Sequence, residues 1–194
     1  MSRKVCRTPA CDEEPGVIDR VNSPLILGID PGLSVTGYGL VRPKTSPGRS
    51  AREAEYIEAG VIRTSDSDPL ERRLLQIQQG IHEVLAEFSP GVLAVEALYS
   101  HYSHPRTAIL MGHARGVVCC AAASKGIAVR DYAATRVKRA LTGNGHAPKG
   151  QIQRAIAHYL GFPSVPEPPD AADALAVALC HLEAGFREAV LSRR

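Results

Sequence analysis

The chain has no tryptophan, three phenylalanines and 5% aromatic residues in all. Its core must therefore be assembled mainly from aliphatic side chains and alanine. Cysteine is present but sparse in pattern. Cys6, Cys11, Cys119, Cys120 and Cys180 match no zinc-site spacing with histidine, and neighbours such as Cys119 and Cys120 on a helix are poor disulfide partners. They are read as reduced thiols, which places the protein in the cytoplasm. No apolar run is long enough to cross a bilayer, and the basic N-terminus lacks the apolar segment of a signal peptide. Charge of one sign is also not in excess, since the net formal charge is +3 over 194 residues. Its distribution matters more than its sum. What remains, 44% hydrophobic and 22% charged residues, is ordinary for one globular domain with a substantial core.

That core announces itself at Leu25-Ile26-Leu27-Gly28-Ile29-Asp30-Pro31-Gly32. Four large aliphatics read as a buried strand, and Pro31-Gly32 turns the chain into a second strand over residues 34–41. Asp30, at the end of the first strand, is costly to desolvate without a partner charge. It faces a site, or it is a capped structural aspartate in a hairpin. Residues 1–23 are polar and locally neutral and are expected to form a mobile arm, ahead of a domain over 24–187 and a tail over 188–194. After a Pro/Ser/Gly/Arg loop over 43–52, residues 56–62 offer a third strand, with Gly60 pointing to a bulge. Asp68-Pro69 opens a helix as N-cap and first helical residue, with Leu70, Leu74, Ile77, Ile81, Leu85 and Phe88 on one stripe. This helix is scaffold, with no chemistry assigned to it.

Val92-Leu93-Ala94-Val95-Glu96 repeats the device of an aliphatic strand closed by an acid. A strand, a helix and a strand imply a crossover, so this strand runs parallel to the first and brings Glu96 to the same sheet edge as Asp30. Two acids there repel unless a cation lies between them. The following loop, Tyr99-Ser100-His101-Tyr102-Ser103-His104-Pro105-Arg106, either stacks unpaired bases on its aromatics or anchors them in the core. A helix over 106–124 is apolar almost all round, with Gly112, Ala114 and Gly116 as small residues. It is buried on more than one side, either inside the fold or against a second copy in a homodimer.

Residues 127–129 read as a further strand, and Asp131 beyond it is a third strand-end acid competing for a site role. From Arg130 to Arg154 six basic residues (Arg130, Arg136, Lys138, Arg139, Lys149 and Arg154) face the single acid Asp131. Helices are expected to begin near Thr135 and after Pro148. Basic residues at two helix starts suit phosphate, and a solvated charged face is the plainer alternative. The last helix opens just after Pro169, with Asp170 and Asp173 on one face of its first turn. Capping accounts for Asp170, whereas Asp173 among alanines needs a further partner. Asp30, Glu96, Asp170 and Asp173 together form an all-oxygen set suited to Mg²⁺ or Mn²⁺.

These residues carry a family resemblance. Leu27–Gly32 with Thr36-Gly37-Tyr38-Gly39, Val95-Glu96, Gly112-His113-Ala114-Arg115-Gly116, Tyr132-Ala133, Val137-Lys138, Lys149 and Asp170–Ala176 closely resemble the RuvC-type Holliday-junction resolvases, in order and with similar spacings from Leu25 to Phe186. The resemblance implies a ribonuclease H-like α/β fold, a mixed sheet flanked by helices. It also implies a homodimer that resolves four-way DNA junctions by paired Mg²⁺-dependent nicks in recombination and repair, acting after a branch-migration complex of RuvA- and RuvB-type proteins. The family's four acids fall on Asp30, Glu96, Asp170 and Asp173, its junction-stacking aromatic on Tyr99, and its two functional lysines on Lys138 and Lys149. The extra N-terminal arm and the His101–Arg106 loop depart from the family pattern. Asp131 falls where the family has an acid outside the catalytic quartet.

The expected chemistry is metal-assisted phosphodiester hydrolysis with two ions about 4 Å apart on the four carboxylates. Lys149 stabilises charge on the phosphate or holds the strand, and Arg136, Lys138 and Arg139 are candidate phosphate contacts. Two rivals come from other classes. A sugar-kinase or actin-like ATPase also opens on an Asp-x-Gly hairpin, but needs a second phosphate loop and a second domain for which this chain is short. A non-catalytic junction binder on the same scaffold has no need of all four acids.

Overall fold

The structure, a computed structural model, describes residues 4–5, 25–44, 54–98, 105–164 and 166–191. Five strands of the main sheet and five helices follow in order: β2 Ile26–Asp30, β3 Val35–Pro43, β4 Ala54–Arg63, α1 Leu70–Phe88, β5 Val92–Glu96, α2 Pro105–Ala123, β6 Ala128–Tyr132, α3 Ala134–Thr142, α4 Lys149–Leu160 and α5 Pro169–Leu191. A two-residue strand, β1 Lys4–Val5, comes before them and pairs with Val61 and Gly60 on β4, so part of the N-terminal stretch joins the sheet. The sheet order is β1-β4-β3-β2-β5-β6. β2, β3 and β4 form an antiparallel meander, while β2, β5 and β6 run parallel through the helical crossovers α1 and α2. This is the expected mixed sheet flanked by helices.

Strand alternation divides the core in two. Leu27 and Ile29 of β2, Tyr38 and Leu40 of β3, and Leu93 and Val95 of β5 pack with Ile77, Ile81, Val84, Ala114 and Val118 of α1 and α2. Ile26, Val41, Val92 and Ala94 face the other way, onto Leu175, Val177 and Leu179 of α5 and Val137 and Ile156 of α3 and α4. Asp30 and Glu96 continue the second series, so both strand-end acids lie on the α5 side. Three glycines let α5 come down onto the sheet. A Cβ at Gly28 would overlap the Ala174 carbonyl oxygen, one at Gly37 the Asp170 carbonyl oxygen, and one at Gly39 would sit 2.8 Å from Leu175. At Gly28 and Gly37 the obstacle is backbone, which leaves no flexible group that can give way.

Several local expectations are corrected. Helix α1 starts at Leu70 behind Pro69, and no side chain caps it; Asp68 instead accepts a hydrogen bond from Gln76 at 3.0 Å and lies 3.9 Å from Arg72. Gly60 pairs regularly with Tyr38. The register shift falls between Leu40 and Val41, opposite Glu58 and Tyr56, so the extra residue is Ile57. β6 reaches to Tyr132 and takes Arg130 and Asp131 into the strand, which its place at the sheet edge tolerates. In α2, Ala114, Val118, Ala121 and Ala122 are buried, while Ile109 is 62% exposed. The helix is covered on one side by this chain and open on another. Among the described residues no helix is long and apolar enough to cross a membrane.

Replacing Gly28 with alanine is expected to destabilise the fold by about 1–3 kcal/mol or more, because the added methyl meets α5 backbone. Urea unfolding of Gly28→Ala beside the parent chain measures it.

Candidate active site

Asp30 ends β2 and Glu96 ends β5, each one residue beyond the paired Ile29 and Val95 of the parallel ladder. Asp170 lies in the first turn of α5 and Asp173 just beyond it, and the close contact at Gly37 fixes this end of the helix over the same sheet end. The four acids come together. Burial first, and then the charges of Glu96, Asp173 and Asp170, push the Asp30 carboxyl from an ordinary 3.8 up to about 7, against a smaller opposite pull from Lys149. Burial and the Asp173 charge also raise Glu96, which Lys138 partly offsets. Acids so placed favour the proton over the charge unless something positive joins them.

Two lysines are within reach. Lys149, the first residue of α4, donates from Nζ to Asp173 Oδ2 at 2.9 Å, and that hydrogen bond is the main cause of its raised pKa. Lys138 approaches Glu96 from α3. The buried Val137 and Leu141 anchor that helix. The two arginines diverge from this centre. Arg136 lies over the Tyr132 ring at 5.0 Å from its centroid, and Arg139 lies beside Gly145, where a Cβ would be 3.5 Å from Nη2. Tyr132 in turn shares a 2.7 Å hydrogen bond with His181 Nδ1. Asp131 is set apart: opposite Val95 in register, it faces the α2 side and pairs with Arg115. Tyr99, with His101, Tyr102 and His104, lies outside the described residues.

The site residues present are chemically suited to a hard divalent cation, because every acidic donor is a carboxylate oxygen and the group carries more negative charge than two lysines balance. Among the described residues no three His, Cys, Asp or Glu side chains are placed to hold a metal ion together, and Asp173 is turned to Lys149. The four acids named from the sequence lie near enough for their charges to act on one another, and Lys149 and Lys138 act on the same group. Sequence reasoning missed what brings them together: the glycines at 28, 37 and 39, whose alternation along β2 and β3 was the available signal of a helix lying directly on the strands.

The family model described as crossover junction endodeoxyribonuclease RuvC matches residues 26–181. A crossover junction endodeoxyribonuclease RuvC of Rhodopirellula baltica is 54% identical over 80% of this chain and 84% of its own length. One from Legionella pneumophila is 43% identical over 81% of this chain and 86% of its own. The solved structure of Thermus thermophilus RuvC in complex with Holliday junction substrate matches with a TM-score of 0.77 and 34% identity, covering 85% of this chain and 96% of that one. The ribonuclease H-like architecture expected from the sequence is thus the one found. The chain belongs to the crossover junction endodeoxyribonuclease RuvC family.

Proposed function

We propose that this protein is a structure-specific endonuclease that resolves four-way DNA junctions by paired, divalent-metal-dependent nicks. The observation that carries the reading is the gathering of Asp30, Glu96, Asp170 and Asp173 at one sheet end, where burial and mutual repulsion raise Asp30 to about 7. The family membership and the junction complex of the Thermus thermophilus relative support DNA junctions as the substrate.

The four carboxylates would hold the cations, Mg²⁺ with Mn²⁺ as its natural substitute. Bound there, such ions supply an activated water and stabilise the leaving 3′-oxygen of an in-line displacement. The chain's own residues do the rest. Glycine contacts at Gly28 and Gly37 fix the helix that carries Asp170 and Asp173 against the strand that carries Asp30. Lys149, exposed and aimed at the carboxylates, neutralises charge on the phosphate or holds the strand. Lys138, Arg136 and Arg139 provide a basic flank for backbone phosphates, an attraction that weakens with salt. Tyr99 follows Glu96 by three residues and is the proposed stacking aromatic. A homodimer answers the two-fold symmetry of a junction, and the open side of α2, with Ile109 exposed and nothing within 4 Å of a Cβ at Gly116, is its proposed interface. A branch-migration complex of the RuvA and RuvB type is the proposed protein partner.

The direct test is incubation with synthetic four-way junction and with linear duplex, each with Mg²⁺ or with EDTA. Paired nicks in the junction alone, and with Mg²⁺ alone, are expected; Asp30→Asn should abolish them while junction binding persists. The same variant tests the electrostatics. A raised carboxyl pKa means the native state binds more protons than the unfolded one, so Asp30 lowers stability as pH rises from 3.8 to about 7, by up to ~1.4 kcal/mol per pH unit. Asp30→Asn removes that cost, so in EDTA at alkaline pH the variant should unfold at higher urea than the parent, and the advantage should vanish in acid. Nicking itself should rise with pH through about 7, as the proton leaves the Asp30 carboxyl. Higher Mg²⁺ should move that midpoint to lower pH, which pH–rate profiles at two Mg²⁺ concentrations measure.

A further inference from the structure

The turn that follows Asp30 is held with unusual completeness. The carbonyl oxygens of Gly32, Leu33 and Ser34 each accept a hydrogen bond: from Thr36 Oγ1 at 2.7 Å, from Thr64 Oγ1 at 2.6 Å and from the Thr64 amide at 3.1 Å. Thr36 itself is fully buried. The Thr64 hydroxyl has one hydrogen to give, and something must aim it at Leu33. Arg73 of α1 does so: its Nε donates to Thr64 Oγ1 at 2.9 Å, which leaves the hydroxyl hydrogen for the Leu33 carbonyl. The other arm of the guanidinium, Nη2, donates to Ser34 Oγ at 2.8 Å and to Asp66 Oδ1 at 2.7 Å. Ser34 Oγ donates to the same Asp66 oxygen at 2.9 Å. The Arg73 side chain is 12% exposed, whereas that of Asp66 is 80% exposed. The ion pair is therefore worth little in itself, and the hydrogen bonds to Thr64 and Ser34 are what Arg73 contributes. A lysine has no planar fork with which to serve both.

We infer that Arg73 and Thr64 are positioning residues for Asp30, a strut from α1 that holds the turn behind the carboxylate and keeps it aimed at the cation-binding group. The inference rests on the proposed reading of Asp30 as a cation ligand. Its physical basis is the chain of hydrogen bonds from α1 to the backbone just beyond Asp30, whose carboxylate is repelled by Glu96, Asp173 and Asp170. A strand end under that load stays in place only if the backbone just beyond it is tied down. Such supporting contacts set the affinity of the ligands they hold, commonly by 10–100-fold.

The experiment is Mn²⁺ titration of the full chain, followed by the electron paramagnetic resonance of free Mn²⁺, for the parent, Thr64→Val, Arg73→Met, the double variant and Asp30→Asn. Thr64→Val keeps the side-chain shape and removes both hydrogen bonds of the hydroxyl, so it carries the test if Arg73→Met does not fold. Each single variant is expected to weaken Mn²⁺ binding roughly 10-fold, and the double variant no more than the worse single one, because the two residues act through one chain of bonds. Junction binding in EDTA should match the parent, so that nicking falls in kcat and not in KM. A role confined to stability would lower the unfolding midpoint and leave the Mn²⁺ dissociation constant of the folded protein unchanged. Parent-like Mn²⁺ affinity in Thr64→Val and Arg73→Met, with Asp30→Asn weakened, would overturn the strut alone. Parent-like affinity in Asp30→Asn would overturn the reading of Asp30 itself.

Discussion

Repulsion among Asp30, Glu96, Asp173 and Asp170 at the end of a buried strand works against folding, and the rest of the molecule is arranged around holding it. Carboxylates in water keep apart. Here the strands that carry Asp30 and Glu96 are neighbours in a parallel ladder, and the helix that carries the other two lies close against the backbone of β2 and β3. The aliphatic ladder of β2 and β5 and the alanine-rich face of α5 supply the burial that keeps them together. Lys149 and Lys138 offset part of the charge. A site of this kind stores electrostatic free energy in the fold, which a divalent cation would release under the proposed function.

The alanines of α5 and the glycines of β2 and β3 are two halves of one device. Ala171, Ala172, Ala174, Ala176 and Ala178 are all buried, and their small side chains let the helix axis approach the sheet closely. Larger residues on either partner would lift the first turn of α5 away from Asp30. The composition noted at the outset, poor in aromatic residues, is in this sense a condition of the active site. Its acids reach each other because the layers between them are thin.

Much of this was legible in the chain. A run of aliphatics closed by an acid and a turn occurs at Asp30 and nearly recurs at Glu96, and the period-2 alternation of β2 and β5 puts both acids on one face without reference to any long-range contact. Asp170 and Asp173 could be placed because a proline marks the start of α5. What escaped the sequence depends on partners far away along it. Arg73 reads as one of several charges decorating an amphipathic helix, yet its guanidinium meets Ser34, 39 residues distant. Asp68 looks like a cap, but its carboxylate turns to Gln76 and Arg72. The extent of β6 was underestimated because an edge strand tolerates charges that an interior strand does not, and Asp131 left the list of site acids once Arg115 was found opposite it. Tyr99 remains a reading from resemblance.

The account stands or falls on whether the half-buried carboxylates act as one cation site whose protons and metal compete. Calorimetric titration of Mn²⁺ just below pH 7, in two buffers of different ionisation enthalpy, measures the protons released per cation bound. The account predicts net proton release that disappears in Asp30→Asn. Cation binding without proton release, or with the same release in the variant, would contradict it.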